Sequence, residues 1–212
     1  MISYSTMAVE DLLDAFASSE PVPGGGSASA LAAAVGVSLL MMVAGLPRTR
    51  TGTPEEAADL SEASSRLRAL REMLTSLIDK DSTAYEAVLA AYRLPKDTDA
   101  EKSVRLAAVD TAMRGATEVP LDTMRACQQA LRGALIIAQN GNTNAATDTG
   151  VGIQLLLASL RGAGLNVDVN TGSITDAAYV SRVKAERDEL ESEGTADAAT
   201  AAAAAGLQAG PS

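Results

Sequence analysis

Asp81 stands where a leucine is expected. Leu60, Leu67, Leu74, Asp81 and Val88 recur every seven residues, and Ala63, Leu70, Leu77, Ala84 and Ala91 fill the alternate positions of one helical seam. An ionised carboxylate on an apolar seam is costly, so it must find partners or hold a proton more tightly than usual. A raised pKa suits general acid or base catalysis, whereas a pair with Lys80 or with an arginine elsewhere sets helix register. Both readings stand at this point. Tyr85 follows one turn on and faces the same side.

A second group lies in Pro21-Val22-Pro23-Gly24-Gly25-Gly26-Ser27. The glycines either make a turn that breaks the chain before Ser27 caps a helix, or let a ligand approach the backbone N–H groups of that helix start, a seat for an anion or a planar polar group. A third lies in Asn140-Gly141-Asn142-Thr143-Asn144, a loop by composition, followed by Thr147 and Asp148. Either of these last two caps the next helix, or Asp148 faces a ligand. Lys96, after Leu94-Pro95, is a solvated side chain or a cation for an acidic ligand, and Arg48 and Arg50 are open to the same two readings.

The composition limits what such residues can do. The chain has 212 residues, no histidine and one cysteine, Cys127. A disulfide framework is excluded and the usual zinc ligands are missing, so only a carboxylate site could hold a metal. Proton transfer must fall to carboxylates, Lys, Tyr or water. A net charge of −10 and a pI near 4.5 argue against nucleic acid and against an anionic membrane surface, because both require a basic face. The lone cysteine fits a reducing cytoplasm.

Hydrophobic residues make up 47% of the chain but aromatics only 2%, and Ala, Leu, Met and Glu dominate over strand formers. The expectation is one all-α domain over 1–193, a multi-helix antiparallel bundle with a central apolar small-residue helix and one long helix. A low-complexity tail, 194–212, is expected to be disordered or fraying. Val9, Leu12, Leu13 and Phe16 share one face of a short first helix, and Glu10, Asp11 and Asp14 stand where a secretory signal would carry positive charge.

Ser27 to Leu46 carries no charge and is about the roughly 20 residues needed to cross a bilayer. Its Ala, Gly and Ser content and its lack of interfacial Trp or Tyr favour a buried central helix, with Ala32 and Gly36 permitting close backbone contact. Thr53-Pro54-Glu55-Glu56 forms a capping box that opens the long helix. A cap at Asp97–Glu101 opens a helix towards Thr117, and another helix follows Pro120 to Asn140. A largely apolar helix covers Val151–Leu165, and Ser173–Asp176 caps a last one reaching about Glu191.

Four segments in order, "PVPGGGSASALAAAVG", "LIDKDSTAYEAVLAAYRLPKD", "ATEVPLD" and "NGNTNAATDTGVGIQLLLASLRGAGLNVDVN", resemble the cyclodeaminase/cyclohydrolase family from about Val9 to Glu193. The resemblance implies an all-helical, homodimeric folate enzyme with no metal or redox cofactor and a tetrahydrofolate derivative as substrate. Gly24, Gly25, Gly26 and Ser27 match its PGGGS motif, Asp81 and Tyr85 its D-x-x-A-Y, Lys96 its LPK, and Asn142, Asn144 and Asp148 its G-N-x-N-x-x-S-D. By the same resemblance Asp81 and Asp148 are catalytic and the others bind substrate. Gly45-Leu46-Pro47-Arg48-Thr49-Arg50 departs from a lysine-rich stretch in many relatives, Thr147 replaces a serine, and Ala145-Ala146 replaces a longer apolar pair.

The implied reaction is either formiminotetrahydrofolate cyclodeamination or methenyltetrahydrofolate hydrolysis, both at the N5–C–N10 bridge. A helical interaction module that has lost catalysis is the rival reading. The glutamyl tail needs a cation in this acidic chain, and Lys96, Arg93 and Arg161 are the candidates.

Overall fold

The capping chemistry written in the sequence starts the two longest helices. Thr53 accepts from the Glu56 N–H while the Glu56 carboxylate accepts from the Thr53 N–H, and Thr98 with Glu101 repeats the device. In the computed structural model, which describes residues 3–207, these boxes open α3 (Pro54–Tyr92) and α4 (Asp99–Asn140). Before them come α1 (Val9–Ala17) and α2 (Gly25–Gly45), and after them α5 (Ala146–Thr171) and α6 (Ala177–Ala204), the last capped by the Asp176 carboxylate. Among the described residues there is no strand, and the all-α bundle stands.

Because α2 consists largely of small residues, three neighbours can approach it. It packs on α3, α4 and α5 and buries Ala30, Ala33, Val37, Leu40 and Val43. A Cβ added to Gly36 would lie 2.9 Å from the Gly152 carbonyl oxygen, and one on Gly152 would lie 3.0 Å from that of Gly36, so α2 and α5 touch backbone to backbone. Gly25 lies beside Asn166, Ser29 beside Gly162 and Gly36 beside Gly152, which makes the pair antiparallel. By length and composition α2 and the stretch Thr143–Thr171 could each cross a bilayer.

Three boundaries differ from expectation. First, α4 runs through Pro120 without a break. Proline cannot bond to the carbonyl four residues back, but Asn170 donates its side-chain amide to that orphan, the Ala116 carbonyl, at 2.7 Å. Second, α5 extends from Ala146 to Thr171, beyond the expected Val151–Leu165. Third, α6 continues past Glu191 to Ala204, so the tail expected from 194 is helical for its first eleven residues. Small size is what packs it: Gly194, Ala198 and Ala201 are buried, and the Gly194 surface meets Leu160 and Leu131. Residues 208–212 of that tail lie outside the described residues. α1 is less amphipathic in effect than its pattern, since Leu12 is buried but Val9 and Leu13 are exposed.

The helices have unequal lengths, and this places the site. At 1.5 Å per residue α3 and α4 are about 58 and 63 Å long, against about 32 Å for α2. The α3–α4 hairpin therefore overhangs the start of α2, and a second small core of Val88, Ala91, Val109, Met113 and Ile174 fills the overhang. Asp81 sits at the inner corner, where α2 begins. Counting equally outward from the contact of Leu67 with Gly133 brings Asp81 level with Val119, the residue before Pro120.

Candidate functional site

Asp81 and the glycine turn meet. Gly24, the N-cap of α2, has no side chain to offer, and Ser27, expected to cap the helix, is instead its third residue. The cap comes from α3: Asp81 Oδ2 accepts the Ser27 N–H at 2.8 Å and lies 3.0 Å from Ser27 Oγ. The buried Ser27 hydroxyl also lies 2.9 Å from the Ile78 carbonyl oxygen and 3.2 Å from Ser82 Oγ. A carboxylate at a helix N-terminus gains from the helix dipole and from the orphan N–H groups there. Among the described residues neither Lys80 nor an arginine bonds to it, so the register-pair reading gives way to this cap.

Gly26 exists for this carboxylate. A Cβ at 26 would stand 2.1 Å from Asp81 Oδ1. Burial pushes the Asp81 pKa up, and the opposing hydrogen bonds from the Ser27 hydroxyl and N–H do not cancel it, so the carboxyl sits above its ordinary value. Two residues earlier, Asp79 behaves oppositely. Burial raises it too, but bonds from Ser5, Ser3 and the Tyr4 N–H outweigh burial and hold it below the ordinary value. Asp79 thus clamps the N-terminal segment to α3, while Asp81 retains a tendency to take up a proton.

Two asparagines that the sequence reading did not single out belong to this corner. Asn166 lies 3.5 Å from the Cβ position of Gly25, and its amide donates to the Gly162 carbonyl. Asn170, one turn on, supports Pro120 as described. Their i, i+4 spacing on one helix face was the available signal. Arg161 is exposed on α5, next to the Gly162 that touches Ser29, and it makes no ion pair among the described residues. Tyr85 is 41% exposed on the overhang one turn past Asp81. Lys96 is exposed beyond the end of α3, which lies about 17 Å past Asp81.

The remaining expected residues lie elsewhere in the protomer. Because α2 and α5 are antiparallel, Asp148 falls at the far end of α2, about 27 Å along α5 from Asn166. The Asn142 amide donates to the Pro47 carbonyl at 2.7 Å while its oxygen accepts the Asn144 N–H, and Thr49 and Thr143 join hydroxyls at 2.8 Å, tying the two loops at this end together. Arg48 and Arg50 both grip Glu56 there, and chiefly Arg50, then Arg48, hold the Glu56 pKa down to about 2. Ala145 stands at the N-cap of α5 without a side-chain bond, so neither Thr147 nor Asp148 caps it. Among the described residues, Asp148 and the Asn144 side chain have no hydrogen-bond partner. A single protomer therefore unites Asp81, Gly24–Ser27 and Tyr85 but not Asp148, Asn142, Asn144 or Lys96.

A groove of about 1420 Å³ between α5 and α6 has no titratable lining residue and runs beside Gly150, Val151 and Leu207, not Asp81. Burial pushes the Cys127 thiol up, leaving it inert, and among the described residues no cluster of three or more His, Cys, Asp or Glu could hold a metal ion.

A carboxylate of raised pKa, seated on a glycine-lined helix start in an all-α bundle, marks this corner as the candidate site. The chain belongs to the formiminotransferase-cyclodeaminase family, whose model matches residues 8–189. It is 42% identical over 171 residues to a methenyltetrahydrofolate cyclohydrolase of Methylorubrum extorquens, covering 81% of this chain and 82% of that one. It is 34% identical over 180 residues to the Sus scrofa formimidoyltransferase-cyclodeaminase, of which it spans 33%. The fold matches a formiminotetrahydrofolate cyclodeaminase of Thermotoga maritima with a TM-score of 0.84 at 24% identity, over 94% of this chain and 96% of that one.

Proposed function

We propose that the chain is a folate one-carbon enzyme that adds water to the methenyl bridge of 5,10-methenyltetrahydrofolate. The observation that carries this reading is its likeness to the cyclohydrolase at 42% identity over most of both chains. Cyclodeamination of a formimino adduct is the second reading, favoured by the bifunctional relatives, and it would use the same carboxylate.

The Asp81 chemistry follows from its placement. The methenyl bridge is an amidinium cation, and an ionised Asp81 beside it both stabilises the cation and accepts a proton as water adds to the bridge carbon. The C–O bond forms and a tetrahedral carbinolamine results. Its C–N5 bond then breaks as the hydroxyl loses its proton and the carbonyl forms, and protonated Asp81 returns its proton to N5. One proton is released overall, and neither a metal nor a redox cofactor enters the balance. The raised pKa makes Asp81 a better base and leaves it able to give the proton back. Asn166 and the Gly25 backbone border the pterin, and Arg161 is the best-placed cation for the glutamyl tail. The reading includes a homodimer in the cytoplasm with no nucleic acid or membrane partner.

Incubating the pure protein with each folate and following methenyl absorbance separates the two reactions: the signal falls for hydrolysis and rises for cyclodeamination. A protein that has lost catalysis changes neither signal. It also shows no thermal shift, whereas a bound folate at 100 times its dissociation constant stabilises by about 2.7 kcal/mol. Raising ionic strength should weaken folate binding through Arg161, and an unchanged dissociation constant would remove that contact.

A further inference from the structure

The two oxygens of the Asp81 carboxylate meet different surroundings. Oδ2 accepts the Ser27 N–H at 2.8 Å and lies 3.0 Å from the Ser27 hydroxyl, whereas Oδ1 has no bond among the described residues. Nor is Oδ1 sealed: among the described residues the unpartnered side-chain atoms shut off from solvent are Arg48 Nε, Asp110 Oδ1 and Arg187 Nε. It lies under Gly26, whose missing side chain leaves it uncovered. One oxygen is held and the other is open.

Behind Oδ2 stand two buried hydroxyls. Ser27 Oγ has one proton to donate, and it has the Ile78 carbonyl at 2.9 Å, Asp81 Oδ2 at 3.0 Å and Ser82 Oγ at 3.2 Å within reach. Ser82 is 4% exposed, and its hydroxyl has no other partner among the described residues. A buried hydroxyl proton left unbonded is costly, so Ser82 donates to Ser27. The Ser27 proton then goes either to Oδ2 or to the Ile78 carbonyl. That carbonyl already accepts the Ser82 N–H within α3, so it tolerates both states. A charged carboxylate draws the proton to Oδ2, where the aligned Ser82–Ser27 pair strengthens the bond.

The ionisable groups around this corner are engaged elsewhere. α2 has none from Gly25 to Gly45. On α3, Asp79 is bonded to Ser3, Tyr4 and Ser5, Lys80 is exposed, and Tyr85 lies one turn on; the Tyr4 hydroxyl donates to the Val22 carbonyl. On α4, Glu118 and Asp122 pair with Arg125, and on α5 Asp168 pairs with Arg187 while Arg161 is exposed. Burial and the Ser27 bonds are what move the Asp81 proton affinity. Ser27 itself is 0% exposed, so its hydroxyl reaches a ligand only through Asp81.

We propose that Asp81 exchanges its proton through Oδ1, and that Ser27 and Ser82 are positioning residues whose hydroxyls bond Oδ2 when the carboxylate is charged and release it when it is neutral. Ser27 is then not the substrate ligand that the family resemblance implies. Oδ1 takes one proton from the attacking water and returns it to N5, and both serines keep their own. The proposal rests on the folate reading for the reaction served; the turning of the hydroxyl needs no ligand.

Nuclear magnetic resonance of the ligand-free protein, isotope-labelled at its aspartate carboxyls, tests this, the Asp81 signal being the one missing from Asp81→Asn. Ser27→Ala removes a donor to the charged form, so Asp81 should titrate about one pH unit higher. Ser82→Ala should move it the same way by roughly a fifth as much. The double variant should match Ser27→Ala, since Ser82 acts only through the lost hydroxyl, and additive shifts contradict that coupling. The rising limb of kcat/KM reports the free enzyme and should move with the titration, with turnover persisting above it because Oδ1 stays open. An unmoved Asp81 titration in Ser27→Ala overturns the proposal, as does a raised KM with the limb fixed. A variant that titrates as expected but is dead at every pH contradicts transfer through Oδ1. If Ser27→Ala fails to fold, Ser82→Ala decides: an upward move supports the proposal and an unmoved or lowered titration contradicts it. If the wild type turns over neither folate, the folate reading fails while the titration still judges the hydroxyl pair.

Discussion

Asp79 and Asp81 leave the same helix two residues apart, at the level where α2 begins, and the protein uses them in opposite ways. Asp79 looks towards Ser3, Tyr4 and Ser5, whose hydroxyls and N–H groups saturate both its oxygens and hold its proton affinity below the ordinary value. Asp81 looks into the corner between α2 and α3, where Ser27 bonds only Oδ2 and burial dominates. Deeper burial with fewer donors leaves a carboxylate that costs stability when charged. The lesson is that proton affinity here is set by depth of burial weighed against the number of donors the neighbouring element turns towards each side chain. A fully bonded aspartate holds the fold, and an under-bonded one is free for chemistry.

That contrast can be broken from either side. The largest effect belongs to Asp81→Asn, expected to lower kcat by about 10²–10⁴-fold, the usual range for a lost general acid–base group. Circular dichroism and a melting temperature equal to or above that of the wild type should accompany it, since the substitution removes a buried charge. Gly26→Ala comes next. Its methyl would fall on the Asp81 carboxylate, 2.1 Å from Oδ1, and the displaced group should cost on the order of 10²-fold in kcat/KM. Asp79→Asn should reverse the pattern, with denaturant melts showing a loss of about 1–3 kcal/mol while turnover stays within a few-fold.

The smallest effect is in the pH dependence of stability, and its sign differs between the two. Asp79, its pKa depressed in the folded state, contributes stability above its ordinary 3.8 that is lost as pH falls through the folded value. Asp81, its pKa raised, contributes below 3.8, and that contribution is lost as pH rises through the folded value. Melting Asp79→Asn across pH 2–7 should therefore flatten the acid fall of stability, and Asp81→Asn should remove a decline just above pH 3.8.

Much of this was legible in the residues themselves. The seven-residue seam exposed Asp81 as the one charged intruder, and the capping boxes at Thr53 and Thr98 marked helix starts that the structure keeps. Partnership across the bundle was not legible. Nothing local tells that Ser27 is held by an aspartate fifty-four residues away, or that Asn170 repairs the carbonyl Pro120 leaves orphaned. Pro120 reads as a helix break because local rules assign it no rescuer. The alanine-rich end of α6 reads as disordered because pattern analysis seeks large apolar residues, whereas Gly194, Ala198 and Ala201 pack by being small. The separation of Asp148 from Asp81 is likewise tertiary: both belong to family motifs, but antiparallel α2 and α5 carry them to opposite ends.

The most direct test of a proton-transfer role for Asp81 is the pH profile of kcat/KM for methenyltetrahydrofolate hydrolysis, measured on the wild type and on Asp81→Asn. The profile of the wild type should rise through a single limb whose midpoint lies above 3.8, the ordinary aspartate value, and the variant should lose both the limb and most of the rate. A limb that persists unshifted in Asp81→Asn would assign the chemistry to another group.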